Sequence, residues 1–218
     1  MPRSSLRRPG QELDLSNHLR YSDDLPKDLS SKSIFDNEQP LELEIGSGKG
    51  LFLDTTSASN PTHNFIGVEI VAKYAKHSAA KLARRQAKNA IMISGNAEPL
   101  IANSIRRSGL EAVHVYFPDP WWKKKHRKRR VLNETSIQNL TECLRPGGRF
   151  HFWTDVLDYF ENTLELIAEI APILGVPIPE DEIEATHDLD YRTHFERRSR
   201  QNAIPVYRVC YLKNSSLC

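Results

Sequence analysis

Cysteine is scarce in this chain. The three present, Cys143, Cys210 and Cys218, are odd in number and form no CxxC pair. That excludes a disulfide framework and a cysteine-based zinc site, and it fits free thiols in a reducing cytosol. No metal site is expected. Long apolar runs are absent too. No stretch approaches the roughly 20 apolar residues that a membrane-spanning helix needs, so no membrane association is expected. The basic N-terminus, MPRSSLRRPGQELD, has no apolar segment behind it and does not read as a secretory signal. There are no internal repeats. A length of 218 residues, with 39% hydrophobic and 27% charged, suits one ordinary soluble domain with a real core. The expected location is cytoplasmic, and the expected state is a monomer or weak homodimer.

What the chain does have is charge in one place. The whole chain carries +2, but residues 123–130 (KKKHRKRR) alone carry +7, so the remainder stands at −5. A mildly acidic body with one concentrated positive segment points to a polyanionic partner. A solvated loop has the same composition, so context must decide.

The pattern along the chain supplies that context. Residues 1–38 are polar and weakly periodic, and they read as an irregular N-terminal arm with room to move. From residue 39 to 218 a single domain is expected. Strand candidates at LELEI (41–45), NFIGVEI (64–70), AIMIS (90–94), AVHVYF (112–117) and RFHFWTD (149–155) alternate with helix candidates at 50–58, 71–88, 97–107, 133–144 and 156–171. Two further strands are expected near 182–187 and 205–213. Such alternation implies right-handed crossovers and a seven-stranded, mostly parallel α/β sheet with helices on both faces.

The first strand runs into EIGSGKG, with Glu44 ahead of Gly46, Gly48 and Gly50. Glycines after strand one permit a tight turn and close approach of a ligand to the backbone. An acidic residue at the end of the next strand, Glu69, suits the ribose hydroxyls of an adenosine. The dinucleotide fingerprint needs a third glycine where this chain has Leu51. The GxGxG spacing therefore favours S-adenosylmethionine over a nicotinamide cofactor. Asn96-Ala97 follows the third strand, which would set Asn96 beside the adenine, and Glu44 can reach the ligand's ammonium end. In open α/β sheets the ligand lies beyond the carboxyl ends of the strands, at the topological switch point. The fourth strand ends at Phe117, so Asp119 falls at that crevice next to the donor. Pro118 and Pro120 stiffen its turn. Trp121 and Trp122 suit either a stacking platform or the core.

Together, EIGSGKG (44–50), GVEI (67–70), GNAEPL (95–100), FPDPWWKKKHRKRR (117–130), LRPGGRFHFWTD (144–155) and THFERRSR (193–200) resemble the bacterial tRNA (guanine-N7)-methyltransferase family, from residue 41 to 213. The resemblance implies a class I, Rossmann-like methyltransferase fold with S-adenosylmethionine as donor. It also implies tRNA as partner and a variable-loop guanine, tRNA position 46, as acceptor. Carried across by position, Glu44, Gly46, Gly48, Glu69, Asn96, Ala97 and Asp119 would contact the donor, and Asp119 would be catalytic. Lys123, Asp155, Thr193 and Glu196 would hold the substrate. Lys125, His126, Arg127, Lys128, Arg129 and Arg130 would meet RNA. Asn96 stands where many relatives have Asp, which keeps an acceptor and loses a charge.

Three rivals remain. Asp119-Pro120-Trp121 is similar to the D-P-P-[YFW] motif of amino-methylating enzymes on adenine or cytosine, but the second proline is missing. A dehydrogenase conflicts with the glycine spacing. A non-catalytic RNA-binding module conflicts with the intact Glu44, Glu69 and Asp119.

Overall fold

The computed structural model describes residues 13–215, and the backbone alone for Lys124 and Arg127. Eight strands form one sheet: β1 (Leu19–Tyr21), β2 (Leu41–Ile45), β3 (Asn64–Glu69), β4 (Ala90–Ser94), β5 (Leu110–Tyr116), β6 (Leu144–Thr154), β7 (Ile178–Pro179) and β8 (Tyr207–Leu212). Their spatial order is β1-β4-β3-β2-β5-β6-β8-β7. Pairing is parallel from β1 through β6, and β8 runs antiparallel to both β6 and β7. The helices are α1 (Ser31–Phe35), α2 (Leu51–Ser59), α3 (Ala72–Arg85), α4 (Ala97–Asn103), α5 (Glu134–Cys143), α6 (Leu157–Ile170) and α7 (His194–Gln201).

Side-chain alternation along the strands separates the two faces. Leu41, Leu43 and Ile45 of β2, Val113 and Val115 of β5, and Phe150 and Phe152 of β6 share one cluster with Leu100 of α4, Ile137 and Leu140 of α5, and Ile167 of α6. A second cluster joins Leu53 of α2 and Ala75, Ala79 and Leu82 of α3 to Phe65, Ala90 and Met92. Small alanines on α3 let that helix lie close to the sheet. Parallel strands demand such double cover, because both of their faces are buried.

The sheet differs from the expected one at both edges. It has eight strands, since Leu19–Tyr21, inside the stretch expected to be irregular, pairs with Met92–Ser94. Three residues are too short for a periodic signal, and Leu19 is held by packing on the α3 cluster. The first twelve residues of that arm lie outside the described residues. Residues 182–187 form no strand; the edge is the two-residue β7 at Ile178–Pro179. Proline suits an edge, where no ladder N–H is required.

Candidate active site

The turn after β2 places three glycines in left-handed backbone, with φ of 77° at Gly46, 54° at Gly48 and 66° at Gly50. Their jobs differ. A Cβ on Gly46 would meet nothing within 4 Å, and one on Gly48 would meet only the Gly46 carbonyl, at 3.9 Å. That bare side of the loop is open to a ligand. A Cβ on Gly50 would lie 1.9 Å from Ser78 Oγ, so Gly50 lets α2 begin against α3.

Two carboxylates stand beside the loop. Glu69, at the end of β3, accepts the Gly48 N–H at 2.8 Å and the Val71 N–H at 2.7 Å, which ties the loop to the start of α3. Each oxygen keeps a further lone pair for a hydroxyl donor. Glu44 is buried, and its Oε2 has no hydrogen-bond partner among the described residues. Burial pushes its carboxyl up to about 7; a hydrogen bond from Ser47 opposes this, and the charge of Glu69 adds to it. A buried acceptor without a partner calls for a donor from outside the chain. Asn96 caps α4 by accepting the Glu98 N–H at 3.1 Å, with Ala97 buried just beyond. An orphaned carboxylate, an acidic strand end and an open glycine turn fit the ammonium, ribose and chain of S-adenosylmethionine.

Across the crevice, β5 ends in the Asp119 loop. Asp119 itself is exposed. Phe117 and Trp121 on either side are non-glycine residues at φ of 50° and 47°. Such positions cost on the order of 1–3 kcal/mol each and persist only where the surroundings over-determine them. Here the clamps are visible. The Phe117 N–H donates to the Trp153 carbonyl at 2.8 Å, and Arg130 Nε donates to the Pro120 carbonyl at 2.9 Å.

The basic segment Lys124–Arg129 is a 3-10 turn. Lys123, Lys125, Lys128 and Arg129 are exposed. The Arg129 guanidinium lies 5.1 Å over the Trp121 ring, and His126 meets the same ring edge-on at 6.0 Å. Trp121 is therefore half-buried scaffold for the turn. Trp122 is 70% exposed and is the tryptophan open to a base.

Arg130, expected to meet RNA, is turned inward. It is buried, it pairs with Asp158 at 3.2 Å, and it stacks over Tyr159 at 4.3 Å while bracing Pro120. Glu196, expected to hold the substrate, is also turned inward. It is buried, accepts the Arg192 N–H at 2.7 Å, and lies 3.4 Å from Arg200 and 3.3 Å from Arg208. It is a hub for its own segment. Thr193 caps α7 by accepting the Glu196 N–H at 3.0 Å. Asp155, just after β6, accepts the Ser199 hydroxyl at 2.9 Å, so α7 orients it. Phe195 stacks 6.2 Å from Phe117, which joins α7 to the Asp119 loop.

Two features escaped the sequence. Helix α7 carried a signal, since T-x-x-E at 193–196 is a capping pattern. The other had none. A buried polar row crosses β2, β5 and β6: Glu42 bonds His63 at 2.6 Å and His114 at 2.7 Å, His114 stacks on His151 at 4.8 Å, and Glu180 accepts from His151 at 2.9 Å and from the Trp153 indole at 2.7 Å. Burial holds the His114 imidazole down at about 4, so it is neutral in the row. A cleft of about 700 Å³ opens nearby, with Thr55, Trp153, Arg192 and Glu196 in its wall. No group of three or more His, Cys, Asp or Glu among the described residues is placed to hold a metal ion. No helix among them is long and apolar enough to cross a membrane.

A parallel sheet with an antiparallel β8, a GxGxG turn after its central strand and an acidic end on the neighbouring strand define a class I, S-adenosylmethionine-dependent methyltransferase. Solved structures share the fold. The 16S rRNA methyltransferase KamB superposes with a TM-score of 0.59 at 17% identity, covering 83% of this chain and 91% of its own. A 16S rRNA (adenine(1408)-N(1))-methyltransferase solved with the cosubstrate SAM gives 0.55 at 16% identity, covering 84% and 89%. A family model described as a putative methyltransferase matches residues 38–209. The tRNA (guanine-N(7)-)-methyltransferase of Rhodopirellula baltica is 60% identical over 99% of this chain and 81% of its own length. The enzyme of the same description from Geobacter metallireducens is 32% identical over 88% and 91%. The chain belongs to the tRNA (guanine-N7)-methyltransferase family.

Proposed function

We propose that this protein transfers a methyl group to N7 of the variable-loop guanine of tRNA, with Asp119 as the catalytic residue and residues 39–218 as one catalytic domain. S-adenosylmethionine supplies an electrophilic methyl on a sulfonium. Guanine N7 is an exposed acceptor with its own lone pair, so no residue must first remove a proton. The work left to the chain is positioning and electrostatics. Methylation leaves the purine cationic. A carboxylate at Asp119 stabilises that charge and accepts from the donor edge of the base. Asp155, oriented by Ser199, is the second acceptor for that edge. Thr193 and Glu196 act by holding α7 in place.

One observation carries this reading. The Asp119 carboxylate sits on a strained, doubly clamped loop, between an open glycine turn and a run of exposed cations. The cations suit phosphates, which position RNA without reading its sequence. The base must then leave its stack to reach the donor.

The test is transfer of label from S-adenosylmethionine to unmodified tRNA, followed by identification of the methylated base. N7-methylguanine in the variable loop supports the proposal, and N6-methyladenine overturns it. Asp119→Asn should lower turnover by about 10²- to 10³-fold with tRNA affinity nearly unchanged. An equal loss of tRNA binding would remove Asp119 from the catalytic role.

A further inference from the structure

The cations of this chain are concentrated twice, not once. Residues 71–88, VAKYAKHSAAKLARRQAK, hold six Lys or Arg and no acidic residue. With both this segment and 123–130 removed, the rest of the chain stands at −11. Most of the first segment is α3. Its apolar side is the alanine face already described, so the charges are driven to the other side. Lys73, Lys76, Arg84 and Lys88 are exposed, and none has an ion-pair partner among the described residues. Arg85 is different, because it pairs with Asp54 at 3.1 Å. From Lys73 to Arg84 the stripe runs about 16 Å at the helical rise.

More positive charge gathers beside it. Burial first, then the cations Lys81, Lys49 and Arg84, depress the His77 imidazole. His194, at the start of α7, is held down by burial and then by Lys81, Arg197, Lys49 and His77. Two elements and the glycine turn thus present cations to one another. Of the nearby carboxylates, Asp54 is paired with Arg85 and Asp188 with Arg197, and Glu44 is buried in the donor turn. Like charges on one helix face repel. The arrangement is suited to a partner that brings negative charge.

We infer that the exposed face of α3, with Lys73, Lys76 and Arg84 at its centre, is a second docking surface for the phosphate backbone of the tRNA substrate. Position supports this choice of occupant. Helix α3 follows β3, on one side of the central β2, while the 123–130 turn follows β5 on the other side. The crevice lies between them. Two basic surfaces on opposite sides of one crevice can hold a folded RNA at two points and present a single base between them. A lone basic turn fixes one point and leaves the RNA free to pivot. The inference rests on the tRNA reading, and the RNA contributes only its backbone.

The test uses the full chain with Lys73→Gln, Lys76→Gln and Arg84→Gln combined, and a second variant with Lys73→Arg and Lys76→Arg. Binding of unmodified tRNA is followed by fluorescence anisotropy across a salt series. The Gln variant should bind at least about tenfold more weakly near 0.1 M salt. Its log–log salt slope should be shallower by about 2 to 3, from three lost phosphate contacts. S-adenosylmethionine affinity and turnover at saturating tRNA should not change, and the Arg variant should match the parent. An unchanged slope in the Gln variant overturns the inference. So does an equal loss in the Arg variant, which keeps the charge. If the parent protein binds tRNA but labels no guanine N7, the proposed function fails while the binding comparison still decides the role of α3.

Discussion

Glu44 shows how much one buried side chain can carry. Its carboxyl moves from an ordinary 4.5 to about 7, chiefly through burial. A folded-state value above the unfolded one means that the neutral acid favours folding. That contribution is complete below about 4.5 and is lost as the pH rises through 7. The shift corresponds to roughly 3 kcal/mol of destabilisation in the free protein at pH 8. Glu44→Gln keeps the shape without the charge. It should therefore raise the melting temperature at pH 8 and leave it nearly unchanged at pH 4. The same variant should bind S-adenosylmethionine more weakly at pH 8, because the donor's ammonium loses its counter-charge. In the parent, donor affinity should fall several-fold between pH 8 and pH 6. Calorimetric titration at both pH values checks the binding, and thermal melts check the stability.

The loop from Phe117 to Trp121 has meaning only as a unit. Its two left-handed residues cost energy that Phe117–Trp153 and Pro120–Arg130 hold in check. Arg130 thus belongs with the carboxylate loop, although the sequence writes it at the end of a basic run. Arg130→Gln should lower kcat by about 10- to 100-fold, the cost of a reacting group misplaced by about an ångström. Its salt slope for tRNA should match the parent. A shallower slope would return Arg130 to the phosphate-binding set. At the far side, α7 orients Asp155 through Ser199 and meets the loop through Phe195. The two sides of the proposed acceptor pocket are therefore coupled by packing.

Across the whole molecule, charge and chemistry are segregated. An acidic body carries the donor site, and the cations stand on the 123–130 turn and on α3. Neutralising Lys125, Lys128 and Arg129, all exposed, should weaken tRNA binding and make the salt slope shallower by about 2 to 3. Turnover at saturating tRNA should survive, as measured by single-turnover transfer. A fall in turnover at unchanged affinity would mean that these side chains act on the chemistry instead of the backbone.

The sequence by itself determined the alternation of the five central strands with their helices, the glycine turn, Glu69 at a strand end and Asp119 just beyond the end of β5. These are local signals, because periodicity, glycine spacing and topology are read within a few tens of residues. Tertiary structure alone decided which charges are free. Arg130 and Glu196 are indistinguishable by residue type from exposed neighbours, and only packing turns them inward. It also decided the edge strand at Leu19–Tyr21, held by a helix more than 50 residues away, and the Glu42–His114–His151–Glu180 row, whose members meet only when β2, β5 and β6 lie side by side. Burial and partnership are properties of neighbours in space, and a chain written as a line does not contain them.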